Sequence, residues 1–180
     1  MKRTAVLGIG NVLQKDDGIG VYATTYLKHN LTCKPEIAFI NGGVEGINLL
    51  NTFLEYDEML VLDTLMLDDA PGSIYNIPAK ELSGLGVNSG GAHEVGVLQV
   101  FEMIELLGHT MPTCHLIGII PEHITFEIAL SNTLHVSFND YIATVIAQLN
   151  NWNITTSMAP NPLSLERILT HVRHPEQVVL

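Results

Sequence analysis

Thr4-Ala5-Val6-Leu7-Gly8-Ile9-Gly10-Asn11-Val12-Leu13-Gln14-Lys15-Asp16-Asp17-Gly18-Ile19-Gly20 begins as an apolar run, turns at Gly-Asn, passes two acids and enters a helical pattern. Thr4 to Gly8 is continuously apolar instead of alternating, which is how a strand buried on both faces reads. From Gly18 to Leu27 apolar residues recur at near-helical spacing, so a helix follows the turn. Downstream, Glu36 to Ile40 predicts a second strand ending at Asn41-Gly42-Gly43, Gly46 to Phe53 a second helix, and Glu58 to Asp63 a third buried strand. Asp68-Asp69-Ala70-Pro71-Gly72 is a turn, and Ser73 to Ile77 a short extended piece. Ser83 to Gly91 is a glycine-rich loop, and His93 to Leu107 a helix with Val97, Val100, Phe101, Ile104 and Leu107 on one face. Leu116 to Ile120 is a further strand stopped by Pro121, and Ser131 caps a long helix running to Leu149. Alternating helices and continuously apolar strands predict an α/β three-layer sandwich, its twisted and mostly parallel sheet flanked by helices on both faces.

The chain has 180 residues, 47% hydrophobic and 15% charged, which suits one globular domain with a core of its own. We place that domain at residues 1–149. Residues 150–180 read as a polar, proline-bearing linker and a C-terminal tail, in which Leu163, Leu165, Ile168, Leu169 and Val172 outline a short amphipathic helix. Apolar stretches fall short of a bilayer span, and the amino terminus lacks the apolar core of a signal peptide, so a cytoplasmic protein without a membrane partner is expected. The two cysteines, Cys33 and Cys114, are far apart and read as apolar side chains.

Eight Lys and Arg against 19 Asp and Glu leave a formal charge of -11, and between Glu36 and Glu166 the one basic side chain is Lys80. Such a surface cannot neutralise a phosphate backbone, which excludes nucleic acid and disfavours phosphorylated substrates. It suits cations or a basic partner face, although excess carboxylate can serve solubility alone. Gly8-Ile9-Gly10 starts like a dinucleotide loop. However, Leu13 takes the third glycine's place, and Asp16 and Asp17 stand where a pyrophosphate would need amides, so no nucleotide cofactor is expected. A G-x-S-x-G elbow is missing, and His93-Glu94 lacks the second histidine of a zincin because Val97 fills that position.

Sites in open α/β sheets gather at the carboxyl ends of strands. Asp17 lies in the loop after the first strand, Asp63 ends the third, and His93 enters a helix after the glycine-rich loop. Two carboxylates and an imidazole suit a divalent transition ion that has a further partner to bind. Each also has a plain alternative: Asp17 as a helix cap, Asp63 as an acceptor for loop amides, His93 as a surface residue of a helix. Glu122 and His123, beyond Pro121, are reserve candidates at the same edge, with Glu127 at i, i+4 from His123. A site awaiting an ion should face solvent, and Leu65, Met66 and Leu67 beside it should face either a partner or the core.

Gly8 to Gly20 resembles the opening signature of the nickel-iron hydrogenase maturation endopeptidases, G-x-G-N-x-L-x-x-D-[DE]-x-x-G. Asn41-Gly42-Gly43-Val44-Glu45-Gly46 is similar to that family's D-G-G-x-x-G loop, and Leu60-Val61-Leu62-Asp63-Thr64 to its strand ending in Asp-Ala. Ala92-His93-Glu94 is similar to its loop histidine, and Gly118-Ile119-Ile120-Pro121-Glu122 to its G-x-x-P strand end, so the resemblance covers residues 4 to 149. It implies an aspartic-type endopeptidase that removes a C-terminal extension from a hydrogenase large-subunit precursor after nickel insertion. The resemblance also implies that the chain supplies no nucleophilic serine or cysteine. The family's metal ligands carry over onto Asp17, Asp63 and His93, with Asp17 and Asp63 the acids of the catalytic site and nickel arriving in the substrate. Asn41 replaces the family's usual Asp, which removes an ionisable group there, and Asp17 is the shorter choice at its D-[DE] position. A non-catalytic, metal-dependent chaperone of the nickel-loaded subunit is the alternative, and an unrelated small-molecule hydrolase a third.

Overall fold

The computed structural model describes residues 2–82 and 92–174, apart from the side chains of residues 47 and 92–96. In chain order the elements are β1 (Thr4–Ile9), a 3-10 turn (Lys15–Gly18), α1 (Ile19–Asn30), β2 (Leu31–Lys34), β3 (Ala38–Gly43), a second 3-10 turn (Gly46–Leu49), α2 (Leu50–Glu55) and β4 (Glu58–Thr64). Then come β5 (Ile74–Pro78), α3 (Ala79–Leu82), α4 (Ala92–Leu106), β6 (Thr113–Ile119), α5 (Asn132–Asn151), β7 (Thr155–Met158) and α6 (Leu165–Arg173). The expected glycine-rich loop falls on residues 83–91, outside the described residues.

The sheet order is β3-β1-β4-β6-β5. Its first four strands are parallel, and β5 is an antiparallel edge on β6. The expected α/β sandwich with a mostly parallel sheet is therefore the observed fold. Both faces are buried, which explains the continuous apolar runs. Val6, Leu60, Leu62, Ile117 and Ile119 pack under α1, α5 and α6, while Ala5, Leu7, Ile9, Met59, Val61 and Leu116 pack under α2 and α4. Ser131 caps α5, its hydroxyl accepting from Leu134 N–H at 3.2 Å.

Some boundaries differ from the sequence reading. β3 starts at Ala38 instead of Glu36 and runs through Asn41-Gly42-Gly43, where Gly10 N–H donates to Gly43 O at 2.9 Å and extends the pairing. Residues 155–158, within the polar linker stretch, form β7, which pairs antiparallel with β2. After it, α6 buries Ile168 and Leu169 in the α1–α5 core. Among the described residues, no helix is long and apolar enough to cross a membrane.

One contact fixes how α1 sits on the sheet. A Cβ at Gly20 would lie 2.1 Å from Leu62 O and 2.3 Å from Ile9 O, and one at Gly8 would lie 2.3 Å from Gly20 O. Helix and strands therefore meet backbone to backbone through Gly8 and Gly20, so Leu13 costs the fold nothing at the position where a dinucleotide loop has its glycine. Gly20→Ala should force backbone apart and lower stability by about 3 kcal/mol, at the upper end for overpacking. Denaturant unfolding checks this; an unchanged midpoint would show that α1 stands further from the sheet.

Candidate functional site

β1 and β4 are neighbours in the parallel sheet, so the residues after Ile9 and at Asp63-Thr64 emerge together at its carboxyl edge. Gly10, at φ +126°, makes the turn possible: a Cβ there would lie 1.8 Å from Asp17 O. The chain from Asn11 to Gly18 can thus fold back against the strand end, and the Lys15–Gly18 turn carries Asp16 and Asp17 inward.

Asp17 and Asp63 are each 1% exposed. Asp17 Oδ2 accepts from Asn11 N–H at 2.9 Å, and its Oδ1 from the Thr64 hydroxyl at 3.3 Å. Asp63 Oδ1 accepts from Thr64 N–H at 2.8 Å. Thr64, itself 2% exposed, therefore ties the two acids together, its main chain holding one and its side chain the other. An alanine at this position could supply the amide bond but not the hydroxyl bond. Behind this pair, the Tyr141 hydroxyl donates to Ile117 O at 2.8 Å and lies 3.3 Å from Asp63 O, bracing the ends of β4 and β6. Burial holds that phenol well above its ordinary pKa, so it stays a neutral donor.

α1 is capped by Gly18 with no side-chain cap bond, so Asp17 is not a helix cap. Asp63 does accept a main-chain amide, that of its own successor. His93 is the second residue of α4, with its side chain outside the described residues. Among the described residues, no three His, Cys, Asp or Glu side chains form a metal-binding group. The expected solvent-facing acids are instead buried, because both carboxylates turn inward to main-chain and hydroxyl donors.

Glu122, His123 and Glu127 lie exposed in an irregular segment, so the i, i+4 spacing of His123 and Glu127 has no helix to act on. Hydrogen bonding from the Thr133 hydroxyl holds the Glu122 carboxyl below its usual range. Glu127 pairs with Lys15 at 3.0 Å. Leu65 is fully buried, where a Cβ at Gly118 would crowd it at 2.7 Å, whereas Met66 is 40% exposed beside the site. Asn41 Nδ2 donates to Thr25 Oγ1 at 3.2 Å, and Thr25 spends its own proton on Val21 O. The amide is thus suited to that contact, since an ionised aspartate has no proton to give. Asp16, which the sequence offers only as an acid unsuited to a pyrophosphate, is the further residue of this corner; two consecutive acids in so short a turn, where only one can face the strand end, are its signal.

Residues 21–148 match the family model for hydrogenase maturation proteases. The chain is 27% identical over 148 residues to a hydrogenase 2 maturation protease of Escherichia coli, covering 82% of this chain and 90% of that one. It is 29% identical over 175 residues to a hydrogenase expression/formation protein of Bradyrhizobium diazoefficiens, covering 94% and 90%. The solved structure of the E. coli hydrogenase maturating endopeptidase HybD superposes with a TM-score of 0.80 at 25% identity, covering 87% of this chain and 97% of that one. A maturation protease from Thermococcus kodakarensis, 21% identical with a TM-score of 0.67, shares the fold.

Because Asp17 is buried and doubly bonded, Asp17→Ala should cost about 2 kcal/mol, the scale of hydrogen bonds to charged groups. Denaturant titration reads this; a loss below about 0.5 kcal/mol, the range of ordinary surface changes, would mean that the carboxylate is not held as described.

Proposed function

Since the chain belongs to the hydrogenase maturation protease family, we propose that it cuts the C-terminal extension from a nickel-iron hydrogenase large-subunit precursor once nickel has been inserted. In this reading Asp17, Asp63 and His93 recognise the nickel, which is cargo of the substrate. The observation that carries it is the Thr64 link, which gathers an acid of the turn after β1 and an acid at the end of β4 into one buried corner. Such a pair brings the negative charge a divalent ion requires, and a neutral imidazole from the start of α4 supplies a borderline ligand. Ligands already held by hydrogen bonds lose little freedom when an ion arrives. Docking on the nickel would make completion of the metal centre the condition for cutting, and would present the scissile bond beside the two acids. An ion at the bond can polarise a carbonyl or a water.

The test is processing of nickel-loaded and nickel-free precursor, followed by mass. Wild type should shorten only the nickel-loaded form. Asp17→Asn, Asp63→Asn and His93→Ala should each lower kcat/KM by about 100-fold or more, the scale seen when metal-site geometry is disturbed. Equal cutting of nickel-free precursor would overturn nickel recognition, and a stable complex without a mass change would assign the chain a holding role instead.

A further inference from the structure

Asp16 is 0% exposed, more deeply buried than the two acids of the site. It points away from them, into the segment between β6 and α5. Ser131 N–H donates to its Oδ1 at 2.6 Å, and the N–H groups of Glu122 and His123 donate to its Oδ2 at 3.0 and 2.9 Å. One side chain thus holds both ends of that segment. Its middle is held too: Lys15 N–H donates to Glu127 O at 2.7 Å, Glu127 N–H to Leu13 O at 3.0 Å, and Lys15 Nζ pairs with Glu127 at 3.0 Å. Hydrogen bonds to a carboxylate are the strong kind, and three amides would be orphaned without it.

This tightly held backbone carries apolar side chains outward. Phe126 is 85% exposed and Ile124 39%, and Leu13, which like Phe126 directly precedes a partner of the Gln14–Glu127 bridge, is 43% exposed. An aromatic side chain that cannot retract into a core leaves its apolar surface in water unless something covers it. The surface is continuous with the site along the chain: Leu13 precedes Asp17 by one turn, and the segment leaves β6 just after Gly118, which pairs with Asp63. Exposed Glu122 gives it an acidic flank, on a chain of net charge -11.

We infer that Asp16 is a positioning residue that fixes the 121–131 segment as one wall of the site. Phe126, with Leu13 beside it, is the contact that wall offers to the precursor. The occupant is an apolar side chain of the precursor with basic residues next to it, the apolar part seating on Phe126 and the basic part on Glu122. This rests on the protease reading above. Because Phe126 offers a contact surface and no group to the reacting atoms, the wall acts on binding and leaves the cutting step alone.

The experiment measures KM, kcat and equilibrium affinity for nickel-loaded precursor with wild type, Phe126→Ala, Asp16→Asn, Asp16→Ala and the Phe126→Ala/Asp16→Ala double variant. Phe126→Ala should keep the wild-type melting temperature and raise KM by about tenfold with kcat within about threefold, the pattern of lost uniform binding. Asp16→Ala should raise KM similarly, Asp16→Asn should recover part of the loss because its amide oxygen still accepts, and the double variant should be no worse than the weaker-binding single. A wild-type KM for Phe126→Ala overturns the inference whether or not the Asp16 variants fold. So do multiplying effects in the double variant, or an Asp16→Ala defect confined to kcat. If wild type binds the precursor without cutting it, the protease reading fails, and the wall is judged by whether Phe126→Ala still weakens affinity about tenfold.

Discussion

Everything at the candidate site depends on how closely α1 lies on the sheet. With no side chain at Gly8 or Gly20, the helix backbone comes down onto the ends of β1 and β4. The turn before the helix is thereby lowered over the strand end, and Asp17 comes within reach of Thr64. A larger residue at either glycine would lift the helix and the acid together. The sheet supplies the second constraint: β1 and β4 are adjacent and parallel, so their carboxyl ends share one edge. Buried apolar faces set where the strands lie, and backbone contact sets how near the helix comes.

Within that frame, two consecutive acids do opposite work. Asp17 looks toward the ends of β1 and β4, to Asn11 and Thr64, while Asp16 looks across to Glu122, His123 and Ser131. A tight 3-10 turn can do this because neighbouring side chains leave it in different directions. Neither acid has room to move, so the corner they build is formed before any partner arrives. Preorganisation of this kind spares binding the cost of ordering side chains.

The sheet was legible in the sequence because strands buried on two faces carry unbroken apolar runs, as β1 does at 5–9, β4 at 59–62 and β6 at 116–119. β2 and β7 were not legible. Leu31-Thr32-Cys33-Lys34 and Thr155-Thr156-Ser157-Met158 are four residues each, with one buried position between them, and only their pairing makes them strands. Asp17 and Asp63 could be placed at one edge from topology alone, but their burial could not, since it follows from which donors the tertiary fold brings up. Thr64 reads as an ordinary strand residue until Asp17 is seen above it. Asp16 was hidden for the opposite reason: its partners are main-chain amides more than a hundred residues away, and an amide carries no sequence signal.

The return of the chain after α5 also bears on the neighbourhood of the site. Asn30 joins the end of α1 to Leu163 by two bonds, Nδ2 to O at 3.0 Å and N–H to Oδ1 at 2.7 Å. At the far end of α6, Arg173 Nε donates to Ile128 O at 2.5 Å. The helix therefore works as a brace between the base of α1 and the segment that carries Phe126. Removing the chain from β7 onward would leave β2 unpaired and uncover the apolar groove that Ile168 and Leu169 fill. Exposed strand edges beside apolar surface invite other chains to pair with them, so a shortened protein should fail first through association with itself.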